Sequence, residues 1–339
     1  MTIRDLLKGT VPGKVQTVGA MQMIPLISEV EFDGFVSPGQ NGTFRTTGYG
    51  RMQFNNDSEK TMIVPNHIAY LTKHAAQDHA MMHSGIIKKR SSKEYQDAAC
   101  IQQRQGGYVP ADKHDFVFLP FSIRETASDV RHENSYGKMW PSIQVFNSRA
   151  GTPGDGSGHL EYFYSHYSKE LDEFAAEFEP IQNQIGAIIL INGSVIGIER
   201  TPNHEYWKSV WSRLIRGCYA SYVIECTREK KITKATVEKT RVPLDISKIN
   251  SIEDIYEQFQ HAETQQAELV SAVVRSLVDD AFSSKEEESE STTKRIFVNN
   301  KQFSGDVIAD NGVYIYCSLV SRKAWIKNEK YHSSSEFKI

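Results

Sequence analysis

The strongest pattern along the chain is a pair of apolar runs, Ile185–Ile191 and Ser194–Ile198, separated by Asn192-Gly193. Asn-Gly between apolar runs favours the positive φ angles of a type I′ turn, so this segment predicts a β-hairpin. Both arms are nearly continuously apolar, which predicts cover on both faces. A helical stripe follows: Trp207, Trp211, Leu214, Ile215 and Cys218 predict a helix over 204–226. Upstream, Phe163, Tyr167, Leu171, Phe174 and Phe178 recur at helical spacing and predict a helix over 160–178. A third helix opens at Ser251, an N-cap residue followed by Glu253 and Asp254, and would run to about 282. Its apolar ends flank a polar centre, Gln260–Gln266, a pattern that suits a docked or oligomer-forming helix.

Elsewhere the pattern is shorter. Residues 23–27, 61–65, 84–88 and 116–121 read as strands, while 67–83 stays open between a helix and two strands. Five of the eight residues in 151–158 are Gly or Pro, which makes that segment a loop. Residues 283–294 are acidic and of low complexity and read as a mobile linker. Residues 295–320 read as a terminal pair of strands turning near Gly312. The fold class expected is α+β: a mixed or antiparallel sheet with packed helices in a main domain over 1–240. A C-terminal appendage over 241–339, one helix and a β-hairpin, would follow it.

The 339 residues are 39% hydrophobic and 24% charged, which is ordinary for a globular chain and excludes collagen, rod and wholly disordered classes. A net charge of −3 provides no global field for a nucleic-acid backbone, so nucleic acid is not an expected partner. The four cysteines, at 100, 218, 226 and 317, form no CxxC pair, so neither a zinc site nor a disulfide framework is expected. No apolar run is long enough to span a bilayer and no secretory signal is visible, so the expectation is a cytoplasmic protein without a membrane partner.

Four blocks in this order resemble one family. They are Ala75-Ala76-Gln77-Asp78-His79-Ala80 running into Ile86-Ile87; Ala99-Cys100-Ile101-Gln102-Gln103-Arg104 with Gly106-Gly107-Tyr108; Met139-Trp140; and 185–198 followed by Trp211, Leu214 and Tyr219. Over about residues 20–226 the chain resembles the ARG-and-rhodanese-phosphatase-associated protein domain family. The resemblance implies a role in nucleotide or ADP-ribose metabolism, in the setting of conflict between bacteria and their viruses. Asp78, His79 and Ala80 stand where that family tends to carry glutamine, asparagine and arginine. Gln102 stands where it tends to carry glutamate, and a glutamine cannot act as a general acid or base.

The candidate chemistry lies in these blocks. Asp78 and His79 are candidates to activate water, and Cys100 is a candidate nucleophile or a buried strand cysteine. Gln102 and Gln103, whose amides both donate and accept, could read a base or ribose edge, and Arg104 could bind phosphate. His83 could touch substrate, and Trp140 could stack on a base or simply fill a core. Glu199, at the end of the hairpin, could orient a ribose, pair with Arg200 or cap the next helix. The glycine loop at 151–158 lacks the Lys-Ser/Thr ending of a phosphate-binding loop, and the basic run Lys88-Lys89-Arg90 with Lys93 could draw phosphates. No metal ligand set and no cofactor are expected. The leading expectation is a protein that binds or hydrolyses an ADP-ribose-like or other phosphorylated nucleotide. The alternatives are a non-catalytic binder that sequesters a nucleotide signal or blocks a host protein, and a structural or assembly protein, with a homo-oligomer open to each.

Overall fold

The computed structural model describes residues 1–40, 42–72, 78–103, 114–154, 157–229, 251–277, 280–323 and 326. Its centre is the hairpin. Strands Gln184–Ile191 and Ser194–Arg200 pair antiparallel around Asn192 and Gly193, whose φ angles are 54° and 80°. Both central residues thus adopt the positive φ that their side chains, or lack of one, make cheap.

The sheet grows outward from both arms, and all of its pairings are antiparallel. On one side Gln184–Ile191 pairs with Met21–Ile27, which also takes Val11–Pro12 and Gln16–Val18. On the other, Ser194–Arg200 pairs with Val313–Ser321, followed by Phe303–Asp310, Thr293–Asn299 and Ser283–Glu290. The chain is α+β, with its C-terminal strands joined directly to the central hairpin. Smaller sheets from residues 35–118 pack beside it, including one parallel pair, Phe35–Val36 with Thr61–Val64.

Both faces of the hairpin are covered, as its continuous apolarity requires. Ala187, Ile189, Ile191 and Ile196 enter the larger core, with the small sheets and most helices. Ile188, Leu190, Val195 and Ile198 enter a second core with the N-terminal segment and the long C-terminal helix. The helices are α1 (Ile3–Leu6), α2 (Phe121–Asp129), α3 (Trp140–Ala150), α4 (Glu161–His166), α5 (Ser168–Ala176), α6 (His204–Leu214), α7 (Ala220–Arg228) and α8 (Ile252–Ser276).

Three expectations change in detail. The helix expected over 160–178 is two, α4 and α5, meeting at Tyr167, whose buried hydroxyl donates to the Ala150 carbonyl at 2.7 Å. The helix expected over 204–226 widens into a π-turn at Ile215–Tyr219 between α6 and α7. Gly217 lies there against the Phe118 backbone, where a Cβ would come within 2.8 Å of the carbonyl oxygen. The third concerns residues 283–294, expected to be a mobile linker: most of that stretch is strand Ser283–Glu290. Its charges are met by cations. Glu287 takes Arg131 at 3.1 Å and Arg295 at 2.8 Å, Glu288 takes Arg295 and Lys93, and Glu290 takes Lys88 at 2.7 Å. Composition alone shows the repulsion among these glutamates and not the partners that cancel it.

Candidate functional site

Strand Ile68–Thr72 pairs with His79–Ala80, which pairs with Ala99–Cys100. This short ladder sets Asp78 at the end of one strand, next to Thr72 and facing the turn after Cys100. The Asp78 Oδ1 accepts from the Thr72 backbone N–H at 2.8 Å and from the Thr72 hydroxyl at 2.9 Å. The Asp78 N–H donates to Gln102 Oε1 at 3.1 Å. Its second oxygen, Oδ2, is buried without a hydrogen-bond partner among the described residues. Burial pushes the Asp78 carboxyl up to about 7, against the two Thr72 hydrogen bonds and with help from the charge of Glu161. A neutral acid suits this enclosed position better than a carboxylate.

The turn after Cys100 holds a second segment against Asp78. Gln102 bridges His159, the Gln103 N–H donates to the Gly158 carbonyl at 3.2 Å, and Gln103 Oε1 accepts from Gly158 N–H at 2.6 Å. A Cβ on Gly158 would sit 2.7 Å from the Trp140 backbone, so only glycine lets this segment lie so close to α3. Trp140, half-buried at the start of α3, has its indole N–H beside the Cys100 thiol. Burial raises the Cys100 thiol above its ordinary value, and the charge of Asp78 adds to that, while the Gln102 carbonyl and the indole oppose it. Asp78, Cys100, Gln102, Gln103 and Trp140 therefore converge on one place.

The remaining candidates fall elsewhere or take other roles. His79 is fully buried, and its Nε2 accepts from the Gly50 N–H at 2.9 Å, so that lone pair is spent on the fold and does not activate water. Cys100 is a buried neutral thiol that donates to the Gln102 carbonyl, which fits the strand-cysteine reading and not the nucleophile. His83 is buried between the Ser84 carbonyl, at 2.6 Å, and Asp97, at 2.7 Å. Burial pushes the Asp97 carboxyl up, yet the His83 contact and Lys138 hold it below its ordinary value. Glu199 neither pairs with Arg200 nor caps a helix: its Oε1 accepts from Arg124 at 2.8 Å and from the Tyr219 hydroxyl at 2.7 Å. Asn203 is the cap, accepting from the Tyr206 N–H. Arg124 also donates to His67, Cys218 and Ser318, closing a fully buried polar network. Arg104 lies outside the described residues. The cations Lys88, Arg90 and Lys93 are paired with Glu290, Glu59 and Glu288, which leaves less charge for a phosphate.

A family model, that of the ARG and Rhodanese-Phosphatase-superfamily-associated Protein domain, matches residues 10–272. The chain belongs to this family. No curated protein and no solved structure matches it. The family segment is wider than the 20–226 expected from the four blocks and contains the whole Asp78 cluster and α8 up to residue 272. Strands Ser283–Glu290 to Val313–Ser321 lie beyond it, yet they supply Ser318 to Arg124 and complete the sheet.

Thr72, His159 and Glu161 belong to the site and were not legible in the sequence. Glu161 opens α4, two residues after His159, and their side chains approach to 3.9 Å. Its carboxylate is 41% exposed and accepts from Ser165 at 2.6 Å. The only signal was an acidic residue in the first turn of a helix, which ordinarily reads as a dipole partner. Among the described residues no group of three or more His, Cys, Asp or Glu is arranged to hold a metal ion, and no helix is long and apolar enough to cross a membrane.

Proposed function

We propose that the protein binds an ADP-ribose-like or other phosphorylated nucleotide at the Asp78–Gln102–Trp140 cluster and hydrolyses it, in a setting of conflict between bacteria and their viruses. The observation that carries this reading is Asp78: a buried acid held near neutrality, with one oxygen lacking a partner among the described residues. A carboxyl poised near 7 is protonated often enough to give a proton and ionised often enough to regain one. In this reading Asp78 protonates the leaving group, and the carboxylate of Glu161, whose charge acts on Asp78, takes a proton from the attacking water. Trp140 packs against the ligand's base, and the Gln102 and Gln103 segment frames it.

A second reading has a specific observation in its favour. Asp78 and His79 are 0% exposed and Cys100 is 1% exposed. Such enclosure suits a protein that seals a nucleotide signal away without turning it over. One experiment separates the readings: incubation with pooled NAD, ADP-ribose, its cyclic forms, cyclic oligonucleotides and ordinary nucleotides, followed by mass spectrometry of the solution and of the denatured protein. Hydrolysis gives a new mass in solution, lost by about 10²-fold or more in Asp78→Asn and Glu161→Gln, with a rate that falls as pH rises through about 7. Sequestration gives an unchanged compound held by the protein. If neither a new mass nor a retained compound is found, the nucleotide reading is wrong.

A further inference from the structure

Two tyrosines stand exposed beside the Asp78 cluster. Tyr49 lies in the turn between strands Gly42–Gly48 and Arg51–Asn56, and Tyr136 lies in the turn before α3. They are 48% and 42% exposed, and their rings meet at 5.0 Å. Tyr136 also meets Trp140 edge to face at 5.5 Å, so three rings run in a row from the surface to the indole beside Cys100. The backbone fixes this row to the cluster. The Gly50 N–H donates to His79 Nε2 at 2.9 Å, and the Cys100 N–H donates to the Tyr136 carbonyl at 2.7 Å. Gly50 has a φ of 72°, and a Cβ there would sit 3.3 Å from both the Tyr136 Cβ and the Ala98 carbonyl oxygen. A side chain would strain that turn, so glycine seats the hairpin tip against Tyr136. His79 and Cys100, whose polar groups are spent on the fold, thereby act as mounts for the aromatic row.

We infer that Tyr49 and Tyr136 form a second aromatic subsite of the Asp78 cluster, which takes the second ring of a dinucleotide. The inference rests on the nucleotide reading above and names its substrate class: one base at Trp140 and the other on the tyrosines. A single exposed aromatic ring is ordinary, but two in contact, held beside a candidate site, present paired apolar faces to water. A base covers such a face by stacking, whatever its identity. The charges around the pair limit the length of the ligand. Arg51 is exposed, Lys138 is buried against the carbonyls of Asp97, Arg131 and Glu133, and Asp97 and Glu133 are themselves acidic. That setting suits one linkage between two bases and not the track of cations that a polynucleotide backbone requires.

The test is titration calorimetry of the full chain with two matched pairs, AMP against the linear dinucleotide pApA and ADP-ribose against NAD, and with an oligothymidylate strand. Within whichever pair binds, the two-ring member should be tighter by roughly tenfold, the worth of one stacked base. Tyr49→Ala, at an exposed turn position, should reduce that ratio to about one, and Tyr49→Phe, which keeps the ring, should retain it. The oligothymidylate should bind no more tightly than pApA. A tyrosine pair that merely latches the hairpin tip would lower the melting temperature in Tyr49→Ala and leave the ratio as it was. Equal affinity within each pair, a preference that survives Tyr49→Ala, or tighter binding of the strand would each overturn the subsite and leave the nucleotide reading standing. No binding by either pair would overturn both together.

Discussion

At the scale of single residues the molecule contains two buried polar centres with opposite strategies. Arg124 and Glu199 are buried as partners: the guanidinium serves Glu199, His67, Cys218 and Ser318. Burial pushes His67 well below its ordinary value, and the neighbouring Arg124 charge adds to that, so it meets Arg124 as a neutral ring. Removing one member of such a pair strands a charge and costs about 3–5 kcal/mol, so its contribution is specificity of packing more than net stability. Asp78 is instead buried with one oxygen unmet, and it avoids the cost by holding its proton. The sign follows from its carboxyl rising from 3.8 to about 7 on folding. Between those values the native state binds the extra proton, so stability is greatest at low pH and falls as pH rises to about 7. Asp78→Asn removes that slope. Thermal unfolding should find the variant more stable than the parent at pH 8, on the order of a few kcal/mol, and no more stable at pH 4. A parent whose melting temperature is flat from pH 4 to 8 would contradict this.

Among the elements, the hairpin at 184–200 was legible because its signal is local: two apolar runs and a dipeptide that tolerates positive φ. Helix α6 was legible for the same reason. The π-turn after it was not, because its cause is remote. The close approach of Gly217 to the Phe118 backbone and the inward turn of Cys218 and Tyr219 toward Arg124 and Glu199 involve residues about 20 to 100 positions away. Strand Ser283–Glu290 is the sharpest case. Burial pushes the Glu287 carboxyl up, but Arg131, Arg295 and His132 outweigh it and hold it down at about 2. A carboxyl lowered from 4.5 stabilises above that value, and its contribution is lost as pH falls toward 2. Amide hydrogen exchange should therefore show this strand losing protection between about pH 4.5 and 2, while the hairpin 184–200 stays protected. Glu287→Gln should show the weak protection already at pH 7.

For the molecule as a whole, the family segment and the sheet do not end at the same residue. The segment stops at 272, but Val313–Ser321 pairs along Ser194–Arg200 and places Cys317 and Leu319 on one core and Val320 on the other. A chain cut after residue 272 would expose the edge of a strand buried on both faces and would leave Arg124 without Ser318. Such an edge invites aggregation. The truncated chain should be insoluble or lack a cooperative unfolding transition by circular dichroism, whereas a cut after residue 326 should not. A soluble, cooperatively folding 1–272 fragment would show the C-terminal strands to be dispensable.

The α+β class, the central hairpin, the helical stretches that became α4 to α8 and the blocks that hold Asp78, Gln102 and Trp140 were readable from the order of residues, because each depends on neighbours within a few turns of chain. Tertiary structure decided which of those blocks meet. It joined Asp78 to Gln102 and, through Gly158, to Trp140 and Glu161, and sent Glu199 to Arg124 and His83 to Asp97. It also turned an apparently repulsive acidic run into a strand and raised the acid of Asp78. These outcomes share one cause: the energy of a charge is set by what lies across from it in space and by how much water is left around it, and a linear sequence shows neither.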